Sequence, residues 1–470
     1  MEQNKKTEED ISVYKDTKSD FTDYTRFEDI ANKRTLERYD FINNYKYTPV
    51  YDYPKLDFLI DDGNIAEKKS KIYKAVAELE AAKKYPNANI AELELYAAFH
   101  ETRFKKILLV EAARNLGNPI VSDDYEVNRT NFEELNEELY GEFNESYYLG
   151  ILNTEKDKLL GFYPKSELEV KIKSELELLF NNINTKNEKE EELLDNNSLN
   201  KLHNYVDRRY SSILNAVPDT SDDVYYNVTQ CAEIMNNALR VGGLSDLGWI
   251  ALEDNKKTAV STLTSKKTIS LPSNTRRNAN ELRRLIMHEQ EVHARRGQNG
   301  ADTGLNILKL GTADYADIEE GFGVMMECAV AGNLNNLSFE RARDRYITTG
   351  LALGVDSQPR DGRETYEVLW RMLAIRQAGH KHIDEEDIYN TKDRAYTLIE
   401  NAYRGTQFWM KGVIYTKLKV YYEGFVKNAE YFKEHIDTLD SVFDDLLIGK
   451  YNHTDRSEKD LVKSAIKHKN

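Results

Sequence analysis

The residues of this chain best equipped for chemistry are two histidines and a set of carboxylates between residues 282 and 327. LRRLIMHEQEVHARRG sets His288, Glu289 and His293 as H-E-x-x-x-H, and DIEEGFGVMME follows with Glu319, Glu320 and Glu327. Imidazole and carboxylate are ordinary ligands of a catalytic zinc, which takes three protein ligands and keeps one position for water. His288 and His293 need a third partner. Glu320 lies far enough past His293 for a loop and the start of a second helix, and Glu319 is the alternative ligand. Zinc would bring the pKa of its water toward ~7 and polarise a carbonyl. Glu289, beside His288 and not itself a ligand, would then take the proton and pass it to a leaving amine. A ligating imidazole needs its other nitrogen held, and Glu327 or Asp317 is expected there.

These side chains need elements to carry them. Residues 279–296 read as a helix, with Asn278 and Glu281 spaced as a capping box and Leu282, Leu285, Ile286 and Val292 as its apolar stripe. On a regular helix the i, i+5 spacing of the histidines would set them about 140° apart. The spacing therefore predicts a π-bulge or local unwinding near Glu291. A second helix is expected over about 315–332, with Ile318, Phe322, Met325 and Ala329 buried and Gly321 and Gly323 allowing close packing. Ahead of the metal helix, three β-type segments at 248–254, 258–264 and 267–273 predict a small antiparallel sheet. Lys266 and Lys267 would turn its last pair into a hairpin. An edge strand there would offer its backbone to an extended peptide.

The rest of the chain reads as scaffold. Its 470 residues suffice for a sizeable core, and a formal charge of −16 disfavours nucleic acid or an anionic membrane as partner. No apolar run approaches the ~20 residues of a membrane span. The N-terminus has no signal-peptide core, and Cys231 and Cys328 form no CxxC pair, so a cytoplasmic protein is expected. The expected layout is a flexible polar arm (1–45), a helical subdomain (46–217), a catalytic subdomain (218–450) and a polar tail (451–470). Within the arm one short helix is expected near 25–42, followed by an extended aromatic stretch at 47–60. Late helices are expected near 338–353, 363–378, 384–404 and 426–447. Between the last two, NAYRGTQFWMKGVIYTKLKVYYEG is dense in aromatic, Gly and basic residues and suits a pocket wall. Arg404, Lys411 or Lys417 could bind a substrate carboxylate there, and a tyrosine such as Tyr421 could donate to an oxyanion. The fold class expected is mainly α (α+β), a helical zincin-like metallopeptidase with its small sheet beside the HExxxH helix.

HEQEVHARRGQNG, IEEGFGVMME, YRGTQF and TKLKVYYEG together resemble the tyrosine carboxypeptidases typified by the microtubule-associated tyrosine carboxypeptidase. The likeness covers about 255–425 and extends more loosely to residue 47. It implies a zinc carboxypeptidase that removes a C-terminal aromatic residue from a peptide or protein. His288, His293 and Glu320 would be the ligands and Glu289 the base, with Glu320 preferred because the family's Glu directly precedes the Gly. The chain departs from the family by EEGFG for EEGLA and by Leu418 where an acidic residue is usual. An acidic protein seeking an acidic tail would need a local basic groove, for which Arg295, Arg296 and Arg404 are candidates. Two other readings compete. A dipeptidyl-peptidase-III-like exopeptidase also uses HExxxH but needs acidic groups for a substrate amine. A helical binding protein would have no use for a base beside its metal.

Overall fold

The computed structural model describes residue 15 and residues 35–43, 62–117, 124–181, 183, 188–257 and 259–469. The expected stretch 47–60 and most of the arm lie outside the described residues. The protein is mainly α with one small sheet. Helices Asp62–Ala82 and Ile90–Gly117 open the helical body, and five more run from Tyr125–Tyr140 to Val228–Val241, counting only those longer than one turn. Helix starts are written locally. Asn227 with Gln230, Asn278 with Glu281, Asp361 with Glu364 and Asp384 with Asp387 each form a reciprocal cap.

The sheet comprises β1 (Ile250–Glu253), β2 (Ser261–Leu263) and β3 (Thr268–Leu271), in the order β1-β3-β2. β2 and β3 form the expected antiparallel hairpin, with Thr262 opposite Ile269. β1, however, runs parallel to β3, with Ile250 opposite Thr268 and Glu253 opposite Leu271. The sheet is therefore mixed, which corrects the antiparallel expectation. Ile269 and Leu271 of β3 are fully buried, so β3 takes the centre. Two chain reversals then leave β3 pointing the same way as β1. β2, half-buried, becomes an edge beside the histidine-bearing helix.

The helix that carries His288 and His293 continues the main core. Leu282, Ile286, Met287, Val292 and Ala294 are all fully buried in it. The Tyr315–Ala331 helix crosses the Val420–Glu434 helix at very close range. A Cβ on Gly321 would lie 2.0 Å from the Gly424 carbonyl carbon, and one on Gly424 would lie 2.0 Å from the Asp317 carbonyl oxygen. Both positions must be glycine for that crossing. Late helices occur at Leu337–Leu353, Gly362–Ala378 and Glu385–Ala402. The long helix expected over 426–447 is instead two, Val420–Glu434 and Leu439–Leu446, because the polar turn at 435–438 lets Phe432 and Phe443 meet at 5.7 Å.

Both expected polar ends carry packed structure. Helix Thr35–Asn43, inside the expected arm, buries Phe41 and Ile42, and Arg363 sits 3.5 Å over the Phe41 ring. Residues 451–470, expected as a tail, include helix Arg456–Lys469, whose Val462 and Ala465 are fully buried with Leu95, Tyr96 and Leu308 in a second small core. A few apolar residues in each otherwise polar segment dock it: Phe41 and Ile42 in the first, Val462 and Ala465 with Leu461 and Ile466 in the second. Among the described residues no helix is long and apolar enough to cross a membrane.

Candidate metal centre

The histidine-bearing helix begins as α-helix Ala279–Ile286, capped by Asn278 as expected, and becomes a π-helix over Met287–Ala294 before α-helix Arg295–Asp302. A turn closed by i→i+5 bonds places residues five apart on one face, which the histidine spacing requires. The His288 and His293 rings stand 4.8 Å apart, inclined at 67°. Gly323 makes this seat possible, since a Cβ there would lie 2.5 Å from His288 Cε1 and 2.6 Å from Nε2. Gly323 thus accommodates a side chain, whereas a backbone contact had been expected.

Glu320 approaches from the Tyr315–Ala331 helix, its Oε2 4.0 Å from His288 Nε2. One donor atom each from His288, His293 and Glu320 lies within 4.8 Å of the others, and all three residues are half-buried. A tetrahedral zinc with bonds near 2.1 Å sets its ligand atoms roughly 3.4 Å apart. The three groups fit such an ion after side-chain shifts of about an ångström.

Each imidazole is held through Nδ1. His288 Nδ1 meets Glu327 Oε1 at 2.7 Å, and Ser338 Oγ donates to the other Glu327 oxygen. His293 Nδ1 meets Glu319 Oε1 at 2.9 Å, while Arg296 and Lys450 press on the same carboxylate. Carboxylates on both Nδ1 atoms hold the proton there and leave each Nε2 lone pair for an ion. Glu319, the alternative ligand, is 2 % exposed and spends both oxygens on His293, Arg296 and Lys450. Asp317 lies elsewhere, near Lys427, Lys419 and Glu423, where burial raises its carboxyl to about 6.

The charges explain the titration. Burial works against a charged His288, but the bond and charge of Glu327, with Glu289 and Glu320 nearby, outweigh it and raise the imidazole to about 9. Burial pushes Glu319 up, yet Arg296, Lys450 and His293 hold it far below the usual carboxylate range. Burial likewise raises Glu327, and its bonds to His288 and Ser338 bring it below normal.

Glu289 is anchored from the sheet, where Thr262 Oγ1 on edge strand β2 donates to its Oε2 at 2.6 Å. Sequence reasoning missed Thr262, and no local signal marks it. It also missed two arginines of the Leu337–Leu353 helix. Arg341 lies one turn past Ser338, exposed yet ringed by protein, with no hydrogen bond or ion pair among the described residues. Its surroundings, together with the like charges of Arg394, Arg277 and Arg345, pull its guanidinium below the ordinary value, and Glu327 pulls the other way. Arg345, one turn further on, stacks 3.9 Å over the Tyr421 ring.

Of the expected substrate residues, Tyr421 lies under Arg345, while Arg404 and Lys411 have partners of their own. Arg404 bonds Asn401 in its own turn, and Lys411 pairs with Glu364 at 2.6 Å. Lys417 lies half-buried in the short turn Thr416–Lys419, which packs on the Leu337–Leu353 helix. The basic groove expected from Arg295, Arg296 and Arg404 does not form as such. Arg295 bonds Glu291 and the Gly242 carbonyl, and Arg296 is fully buried, because each has a nearer partner than solvent.

Residues 190–352 match the family model described as microtubule-associated tyrosine carboxypeptidase. Over that stretch the chain is similar to the tyrosine carboxypeptidase family. The match includes every residue of the histidine–carboxylate cluster and ends before the YRGTQF and TKLKVYYEG segments. Comparison with curated proteins and with solved structures gave no match.

Proposed function

We propose that this protein is a zinc carboxypeptidase that removes the C-terminal residue, an aromatic one, from a peptide or protein in the cytoplasm. The observation that carries the reading is the convergence of His288, His293 and Glu320 around one point, with Glu289 fixed alongside. A zinc ion held by those three residues supplies Lewis acidity, polarising a carbonyl and making nearby water more acidic. Glu289 is the base. With one oxygen fixed by Thr262, its other oxygen takes a proton from water and delivers it to the leaving amine. The free edge of β2 offers backbone groups to align an extended substrate.

Positive charge on the Leu337–Leu353 helix, which packs on the Tyr315–Ala331 helix and brings Arg341 within reach of the Glu327 charge, supports carboxyl recognition over amine recognition. Arg341 and Arg345 present guanidinium groups suited to a terminal carboxylate, and Tyr421 lies beneath Arg345. Lys417, in the neighbouring turn, is a further cation for that role. The family's description as tyrosine carboxypeptidases supports an aromatic leaving residue. Cys231 and Cys328 are both free and buried, which suits a reducing compartment.

The test is mass spectrometry of a peptide library treated with zinc-loaded protein. Wild type should shorten free peptides by one C-terminal residue and leave C-terminal amides intact. Glu289→Gln should keep its zinc and lose about 10²–10⁴-fold in turnover. Arg341→Gln and Arg345→Gln should each lower kcat/KM about tenfold or more, mainly through KM. Release of N-terminal dipeptides from the same library would contradict the reading.

A further inference from the structure

Arg296 is fully buried and makes more contacts than a packing role requires. Its Nε donates to the carbonyls of Leu446 at 2.9 Å and Gly449 at 3.0 Å, and its Nη2 to Tyr451 at 2.9 Å. Three carbonyls of the C-terminal turn thus fix the guanidinium from one side. Its remaining arm, Nη1, meets Glu319 Oε2, while Glu319 Oε1 holds His293 Nδ1. We propose that Arg296 is a positioning residue for the metal centre, holding Glu319 so that His293 keeps its tautomer and ring orientation; this rests on the zinc reading above.

The planar fork of an arginine suits this post. It satisfies three carbonyls and a carboxylate in one fixed geometry, which the point charge of a lysine cannot reproduce. With Arg296 and Lys450 on it, Glu319 faces His293 as an acceptor, so Nδ1 donates and the Nε2 lone pair turns toward His288 and Glu320. Lys450, 3.5 Å from Glu319 Oε1, adds a second cation from the same turn. That turn is tied down in its own right. Lys450 N donates to Leu308 O at 2.8 Å, and Thr312 N donates to Lys450 O at 3.1 Å. The backbone before Glu319 is held as well, since Asn428 Nδ2 donates to Ile318 O at 3.1 Å. Residues more than 150 positions along the chain therefore set the direction of a metal-facing imidazole.

A second bond to the same turn provides the control. Asn299 Nδ2 donates to Leu447 O at 2.7 Å and does not touch Glu319. Zinc affinity should be measured by chelator competition on full-length protein, with thermal unfolding recorded alongside. Arg296→Lys and Glu319→Gln should each bind zinc about 10–100-fold more weakly, and the double variant about as weakly as the worse single one. Asn299→Ala should unfold at lower temperature and bind zinc like wild type. Lys at 296 keeps the charge, so a folded variant is expected; Glu319→Gln keeps an acceptor for Nδ1–H and reports on the same link if Arg296→Lys fails to fold. Wild-type affinity in Arg296→Lys and Glu319→Gln, or full additivity in the double variant, overturns the proposal. A wild-type protein that binds no zinc removes the metal reading, and the positioning role with it.

Discussion

At the scale of single residues, the chemistry-bearing side chains were legible because their types and spacing are local. His288, Glu289, His293 and the Glu319–Glu320 pair could be named from two short stretches, and Glu327 was expected beside a histidine, where it stands 2.7 Å from His288 Nδ1. The choice between Glu319 and Glu320 rested on resemblance, whereas coordinates place Glu320 among the donor atoms and Glu319 behind His293. Thr262, Ser338 and Arg341 were not legible, and Arg296 was read as part of a groove, since each matters through a partner distant in sequence or on another element. Gly323 tests the residue scale. A methyl group there would intrude on the His288 ring, so Gly323→Ala should weaken zinc binding about tenfold or more, read by chelator competition. Unchanged affinity in the folded variant would mean that the ring has room to retreat.

At the scale of elements, the i, i+5 histidine spacing predicted a distorted helix, and a π-helix spans Met287–Ala294. A five-residue interval between two ligands on one face leaves few other solutions. The sheet was legible as three strands and a hairpin, but strand order was not. Nothing local to IALE and TISL reveals that β1 will run parallel to β3. The C-terminal turn was unreadable too, although it carries a titrating element. His453 is 1 % exposed, with Nε2 3.0 Å from Asn428 Oδ1 and no partner for Nδ1 among the described residues. Burial first, and then the charges of Arg296 and Lys459, push its imidazole well below the usual value despite Glu319. A depressed folded-state pKa means that the unfolded chain takes the proton first, so the stability is present above about pH 6.5 and lost below it. Between pH 6.5 and 5.5 wild type should lose about 1 kcal/mol more stability than His453→Gln, measured by urea unfolding at each pH. Parallel pH profiles for the two proteins would show that His453 is not kept neutral.

At the scale of the whole molecule, helical periodicity and the absence of long β-rich stretches made a mainly α protein legible. Its ends were not. Phe41 and Ile42 sit in a polar stretch and Val462 and Ala465 in a charged one, and such short apolar pairs gain their meaning only from the surfaces that receive them. The centre itself is a whole-molecule product. One helix gives two imidazoles, a second gives Glu320, the sheet edge holds Glu289, and the turn at 446–451 steadies Glu319 through Arg296. The most direct measurement of this account is zinc content together with zinc-edge X-ray absorption of the purified protein. The account predicts one zinc per chain with two imidazole ligands and otherwise oxygen, and loss of that zinc in His293→Ala. Sulfur in the zinc shell, or full zinc content retained in His293→Ala, would contradict it.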